Sequence, residues 1–123
     1  MVNSNSILLS IKKMLGIEPS NQDFDPELII HINGSIAYLD SIGVNGNHAK
    51  PYAISGEDET WDDFDPDLVD DVKQLIYLRT RLLFDPPNVG SVQNSFQEAI
   101  KELTWRINVR REDKEWTNTD PTT

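Results

Sequence analysis

Three proline-containing junctions divide this 123-residue chain into helical segments. Asp25-Pro26 and Asp65-Pro66 each place a side-chain acceptor for a helix N-terminus next to a proline, which loses no hydrogen bond in a first helical turn. Asp85-Pro86-Pro87 has the opposite effect, because a residue before proline resists the helical conformation. The junctions therefore predict that a second helix starts at Asp25-Pro26 and that a third runs from Pro66 to Phe84.

Apolar residues recur at helical spacing in four segments, which predicts four amphipathic helices. Ser6 is the expected N-cap of the first helix and Gly16 its end, Gly43 ends the second, and Ser91 is the expected N-cap of the fourth. The four stripes are Ile7, Leu8, Ile11, Met14, Leu15; Leu28, Ile29, Ile32, Ile36, Leu39, Ile42; Leu68, Val72, Leu75, Leu83; and Val92, Phe96, Ala99, Ile100, Leu103, Ile107. A chain of this length can bury one core. The fold class expected is therefore all-α, a small four-helix domain over residues 1–109.

Two segments lack helical periodicity. Between the second and third helices, turn dipeptides such as Asn45-Gly46 and Ser55-Gly56 interrupt the pattern. An irregular acidic loop is expected there, or a short β-hairpin that pairs Tyr52–Ile54 with Thr60–Phe64. Residues 110–123 are polar and without period, which predicts a flexible C-terminal tail.

Negative charge is concentrated in the middle of the chain. From Glu18 to Asp71 there are 14 acidic residues and one basic residue, Lys50, which gives this segment a net charge of −13. Such a field repels phosphate, so duplex DNA binding through this segment is disfavoured. The chain has no cysteine, which excludes disulfides and thiolate metal sites. No secretory signal is expected, because Met1 to Ser10 has no basic region and no long apolar run. No membrane span is expected, because no apolar run reaches about 18 residues.

The acidic residues do not form a recognisable catalytic or metal motif. The cluster from Asp58 to Asp67 lacks the glycine and the closing glutamate of a calcium loop, so a solvated loop is favoured and no metal or cofactor is assigned. His31 and His48 have no histidine or cysteine companions. Nucleotide-binding and nucleophile-elbow motifs are missing. The chain is therefore not expected to be an enzyme, although a carboxylate-based hydrolase is an open alternative.

Apolar residues on the second face of a helix indicate a partner outside the domain. At about 100° per residue, five apolar residues project away from the main stripes: Trp105, Tyr77, Phe84, Ile30 and Ala37. These residues are the predicted oligomer interface. The alternative is that the central loop, with Trp61 and Phe64, folds back over them. Arg79 is the reverse case, because it is a cation within an apolar stripe. Either its apolar stem passes the core and its guanidinium reaches water, or the guanidinium pairs with Asp40 or Asp85.

Five sequence blocks in a fixed order resemble the head–tail connector (adaptor, or head-completion) proteins of tailed double-stranded DNA phages. The blocks are Ile7–Lys13, Glu27–Asn33, Glu59–Phe64, Tyr77–Pro87 and Glu102–Val109. The block Arg81-Leu82-Leu83-Phe84-Asp85-Pro86-Pro87 is the most specific of them. The similarity spans residues 6 to 109, and the stretch Glu57–Asp71 departs from the family pattern in its length and charge.

The resemblance implies a virion structural protein. Its subunits would form a ring, usually dodecameric, under the portal protein, would extend the DNA channel without binding DNA specifically, and would join the head to a downstream stopper or tail protein. The location implied is the head–tail junction of the virion, after assembly in the host cytoplasm. The C-terminal tail would bind the portal through Arg110, Arg111, Lys114 and Trp116.

The acidic loop has two possible placements in such a ring. Facing the channel, the acids would repel DNA and let it slide; on the outer rim, they would only keep the particle dispersed. The residues concerned are Glu57, Asp58, Glu59, Asp62 and Asp63. The charge of the same segment leaves an alternative function open, that of an acidic DNA mimic or regulatory binding protein.

Overall fold

The computed structural model describes residues 5–44 and 52–118, with side chains up to residue 112. The described residues form four helices, one short 3-10 turn at Trp61–Asp63, and no strand. The helices are α1 (Ile7–Leu15), α2 (Asp25–Ser41), α3 (Val69–Phe84) and α4 (Gly90–Asn118). This arrangement confirms the all-α, four-helix class. No helix in the described part of the chain combines the length and the apolar character that a membrane crossing needs.

The ends of α1 match their predicted caps, whereas α2 starts at the predicted Asp25-Pro26 junction without the predicted cap. Ser6 Oγ accepts a hydrogen bond from the Leu9 amide at 3.3 Å, and Gly16 ends the helix in the left-handed conformation with φ 79°. α2 begins at Asp25 itself, with Phe24 before it and no side-chain cap. The prediction of Asp25 as a cap is wrong because its carboxylate pairs with a buried lysine instead.

The third helix begins later than its proline suggests. Asp65 Oδ1 accepts from the Asp67 amide and the Asp65 carbonyl accepts from the amides of Leu68 and Val69, all at 2.9 Å. These bonds shape Pro66–Leu68 into a turn, so that α3 starts at Val69 and not at Pro66.

The fourth helix differs from the prediction at both ends. It begins at Gly90, so Ser91 lies inside the first turn, where its carbonyl accepts from Ser95 Oγ at 3.0 Å. It continues to Asn118, whereas the apolar stripe predicts an end near Val109. No helix end therefore marks residue 110; the division into a 1–109 domain and a tail stays a prediction.

The core forms where α3 packs between α2 and α4, with α1 lying on α2 and α3. Among the described side chains of α4, only Leu103 and Ile107 are buried in the core. Three predicted stripe residues are exposed: Met14 on α1, and Leu83 (60%) and Val92, which lie where the last turn of α3 and the first of α4 extend past the core. The other buried apolar residues are Ile7, Leu8, Leu9, Ile11, Leu28, Ile32, Ile36, Leu39, Val44, Ile54, Trp61, Phe64, Leu68, Val72, Leu75 and Ile76.

The described part of the central loop is irregular and forms no hairpin. Its backbone pairs instead with a side chain of α2, because Asn33 Oδ1 accepts from the Ile54 amide at 2.7 Å and Asn33 Nδ2 donates to the Ile54 carbonyl at 3.0 Å. The loop also pairs with the N-terminus: the amides of Ile7 and Trp61 donate to Glu59 and Asn5 carbonyls, each at 3.0 Å. The predicted hairpin is therefore wrong: Tyr52–Ile54 is held by the Asn33 side chain, and Glu59–Trp61 pairs with the backbone of Asn5–Ile7.

Lys12 is fully buried, which the sequence pattern did not predict. Its Nζ donates to the carbonyls of Pro19 at 3.0 Å and Asn21 at 2.7 Å, and lies 2.9 Å from Asp25 Oδ1. A buried ammonium is tolerated when its donors are paired in this way. Lys12 therefore fixes α1 and the α1–α2 linker to the start of α2.

Candidate interaction surfaces

Trp105 is the most prominent candidate contact residue on the surface of α4. Its side chain is 66% exposed, while Leu103 and Ile107, two residues before and after it, are buried. A helix turns by about 200° over two residues, so Trp105 points away from the core. The predicted outward direction of Trp105 is therefore observed, and its role in an interface stays a prediction.

A second exposed surface lies on α2. Ile30 is 69% exposed between buried Leu28 and Ile32, and Ala37 is exposed about two turns further along. Gly34 lies between them, and apart from its own stretch of helix no atom comes within 4 Å of the position that a Cβ would occupy. This face, defined here as Ile30, Gly34 and Ala37, is open to a partner and offers it one bulky side chain, one methyl group and one bare backbone position.

Tyr77 and Phe84, the other two predicted interface residues, are half-buried and pack against the core. The Tyr77 hydroxyl accepts from Arg81 Nη1 at 3.2 Å, and the Phe84 ring meets Phe24 edge-on at 5.3 Å between centroids. Neighbours from the same chain thus cover much of both side chains. The described part of the central loop leaves Trp105 and Ile30 exposed, although its Trp61 is buried.

Arg79 contacts neither of the two carboxylates that the sequence suggested. Its Nε donates to Ser35 Oγ at 3.2 Å, and its guanidinium lies 4.4 Å from the centre of the Tyr38 ring. Stacking on an aromatic face stabilises a half-buried guanidinium without a carboxylate. The predicted pairing with Asp40 or Asp85 is therefore wrong.

The acidic loop residues divide into exposed and internally bonded groups. Glu57 and Asp58 are exposed and make no hydrogen bond or ion pair with the described residues. Glu59 accepts from Ser55 Oγ at 2.9 Å and from the Ser55 and Gly56 amides at 3.1 and 3.3 Å. Burial opposes ionisation of Glu59, but the hydrogen bonds from Ser55 and these amides prevail and lower its pKa. Glu59 therefore stabilises the loop.

Asp62 and Asp63 also bond within the domain. Asp62 accepts from Asn5 Nδ2 at 3.1 and 3.3 Å, and Asp63 Oδ2 accepts from the Tyr52 hydroxyl at 2.5 Å. Burial of Tyr52 and its hydrogen bond to Asp63 raise the pKa of the phenol well above its usual value. The two acids thus have structural partners, and nothing in the geometry tests whether the loop faces a channel. In the part of the chain with described side chains, no three acidic or histidine residues are grouped to hold a metal ion.

The two arginines of the predicted portal-binding tail contact the domain. Arg110 Nη1 lies 3.2 Å from Asp71 Oδ2 and donates to the Asp67 carbonyl at 3.4 Å. Arg111 lies over Gly43 at the end of α2, where a Cβ would come within 3.2 Å of the guanidine Nε. The Lys114 and Trp116 side chains lie outside the described ones. Contact with a portal stays a prediction for all four residues.

The sequence interpretation missed an exposed apolar group at the α3–α4 turn. Leu83 and Val89 are 60% and 57% exposed, and Val92, three residues after Val89, is also exposed. Phe24 is exposed too, and its contact with the Phe84 ring brings it to the same turn. A signal was present, because Leu82 and Leu83 are adjacent and cannot both face one core. The end of the bundle at this turn is therefore apolar, whereas Asp67, Asp71 and Arg110 make the opposite end charged.

Comparison with known proteins gives one family. No curated protein and no solved structure significantly matches the chain. A family model described as phage connector protein matches residues 7–114, which include α1, α2, α3, the loop between α2 and α3, and α4 up to residue 114. The match covers the five sequence blocks that carry the resemblance, and the chain accordingly belongs to the phage connector protein family.

Proposed function

We propose that this protein is a head–tail connector subunit, a virion structural protein that forms a ring under the portal and joins the head to a stopper or tail protein. The observation that carries the proposal is the family match over residues 7–114. The role assigned is mechanical: the subunit extends the DNA channel and provides contact surfaces, and it performs no catalysis.

The exposed residues of α2 and α4 support a ring. A ring is a head-to-tail assembly, in which each subunit uses two different surfaces. Both helices pack on α3, and Trp105 and the Ile30–Gly34–Ala37 face each point away from the core. At the centre of a protein interface, a large aromatic side chain of one subunit commonly fills a recess on the other. Trp105 would be such a side chain, and the small residues of the Ile30–Gly34–Ala37 face would leave room for it.

The exposed acids support a channel that DNA does not adhere to. Glu57 and Asp58 are unneutralised by the described residues, and in a ring each subunit would repeat them around the lumen. Duplex DNA would then meet like charge and pass without binding. We assign these two residues, and not the internally bonded Glu59, Asp62 and Asp63, as the ones that would line the channel.

The C-terminal segment is the proposed portal contact. Arg110 and Arg111 lie on the charged end of the bundle, and α4 carries the chain beyond them to Asn118. Residues 110–123, with Lys114 and Trp116, would then project from this end towards the portal.

The test is assembly with the portal protein of the same phage. The purified chain is mixed with portal rings and followed by native mass spectrometry and electron microscopy. A connector gives a closed ring of subunits on one end of the portal, and deletion of residues 113–123 abolishes its attachment. A chain that stays monomeric and unattached in the presence of portal contradicts the proposal; a monomer in the absence of portal does not, because the portal can act as the template.

The alternative of an acidic DNA mimic has one observation in its favour, the −13 charge of the central segment. It predicts binding to a basic nucleic-acid enzyme that weakens steeply with salt, and no affinity for portal. A pull-down on portal and on a basic nuclease at two salt concentrations separates the two functions.

A further inference from the structure

Residues 108–112 of α4 have little apolar contact with the rest of the domain. Among the described side chains of the helix Ile107 is the last buried one, and those from Asn108 to Glu112 are half-buried or exposed. The helix nevertheless continues to Asn118. A helix shorter than about 12 residues is marginal in water on its own. Residues 108–112 therefore need contacts other than apolar packing to hold this part of α4 on the domain.

Those contacts converge on one buried carboxylate of α3. Asp71 is only 4% exposed, and its two oxygens face two different guanidinium groups of α4: Arg106 Nη1 lies 3.3 Å from Oδ1, and Arg110 Nη1 lies 3.2 Å from Oδ2. The arginines are four residues apart, so they share one face of the helix. Glu102 holds Arg106 from the other side at 3.3 Å.

The burial of Asp71 makes the simultaneous loss of both arginine contacts costly. If α4 moved away, a carboxylate would be left buried without its partners, which is far more costly than the loss of an exposed ion pair. Loss of one arginine contact alone is milder, because the other still neutralises the charge. Arg111 over Gly43 adds a second contact, between α4 and the end of α2.

We propose that Asp71 is the positioning residue of the C-terminal segment, the anchor that holds residues 108–118 on the domain as a helical unit able to open without unfolding the rest. The inference concerns the segment itself and stands whether or not the segment binds a portal. It assigns Arg106 and Arg110 to the anchor in the closed state; opening of residues 108–118 frees the Arg110 guanidinium for another carboxylate, while Arg106 stays paired with Asp71.

The test is hydrogen exchange followed by mass spectrometry on the full chain. Asp71→Asn keeps the size of the side chain and removes the charge, and we expect amides in residues 108–118 to exchange about tenfold faster, while those of Leu28–Leu39 are unchanged. Asp70→Asn is the matched control, since Asp70 is exposed and makes no hydrogen bond or ion pair with the described residues. It should exchange like the wild type.

Two outcomes would overturn the proposal. One is wild-type exchange of residues 108–118 in Asp71→Asn, and the other is equal acceleration in α2 and α4, which indicates general destabilisation. If Asp71→Asn does not fold, Arg110→Gln provides the test. This variant should fold, because Arg106 still pairs with the buried Asp71 carboxylate. It should accelerate exchange of the same segment alone, by a smaller factor.

Discussion

Lys12 Nζ lies 2.9 Å from Asp25 Oδ1, and this pair joins α1 to the first turn of α2 in the interior of the domain. The Lys12 side chain is fully buried, and two backbone carbonyls of the α1–α2 linker complete its hydrogen bonds. Asp25 also lies in the first turn of α2, where a negative charge complements the helix dipole. One carboxylate thus serves two structural purposes.

Replacing Lys12 should be the most destabilising single change in α1. Lys12→Met keeps most of the volume but leaves Asp25 and the two linker carbonyls without their donor, so we expect the free energy of unfolding to fall by about 3–5 kcal/mol. Lys13→Met is the control, because Lys13 is exposed, and it should change stability by less than about 0.5 kcal/mol. Urea denaturation measures both; equal effects of the two variants would refute the assignment.

Removal of the Asn33 side chain should loosen the central loop. Asn33→Ala leaves the amide and carbonyl of Ile54, a buried residue, without partners, and we expect a loss of about 2 kcal/mol. Asn33→Asp keeps only the acceptor and places a carboxylate near the Ile54 carbonyl, so it should not rescue stability. Thermal unfolding compares them with Asn94→Ala, a change at an exposed asparagine of α4. Wild-type stability of Asn33→Ala would count against the pairing.

Trp105 should matter for assembly and not for folding. Because the side chain is 66% exposed, Trp105→Ala should leave the unfolding free energy within about 0.5 kcal/mol of the wild type. If Trp105 lies at the centre of a subunit interface, the same change should weaken ring formation on the portal by about thirtyfold. Gln97→Ala, at another exposed position of α4, is the control. Unchanged ring formation by Trp105→Ala would remove this residue from the interface.

Stability should fall in alkali through Tyr52. Its pKa is raised in the fold by burial and by the hydrogen bond to Asp63, so the unfolded chain loses the phenol proton first, near the ordinary value of 10.0. The stabilisation is therefore complete below that pH and declines above it, with a slope of at most about 1.4 kcal/mol per pH unit. Denaturation from about pH 8 to about pH 11 should show a steeper loss for the wild type than for Tyr52→Phe. Parallel curves would contradict the shift.

Local signals predicted the helices well. The Ser6 cap, the left-handed Gly16 and Gly43, and the apolar stripes act within one or two turns of the chain, so their effects can be read in the sequence. The exposure of Trp105 and Ile30 also follows from the turn of a single helix.

Contacts between distant segments could not be predicted in the same way. Tyr77 and Phe84 have the spacing of outward residues, but Arg81 and Phe24 lie against them. Lys12 follows Leu8 by four residues and so shares the buried face of α1, yet its charge favours an exposed interpretation until the linker carbonyls are known. Arg110 is one residue past the last apolar position, and only the tertiary fold brings it to Asp71.

The pairing of Asn5–Ile7 with Glu59–Trp61 also has a consequence for synthesis on the ribosome. The segment Asn5–Ile7 obtains two of its backbone hydrogen bonds from residues translated more than fifty positions later. Its other partners, on α2 and α3, are also later in the chain. The apolar face of α1 therefore leaves the exit tunnel well before anything can cover it, and nascent chains that are halted before Trp61 should be the ones that chaperones bind and proteases degrade.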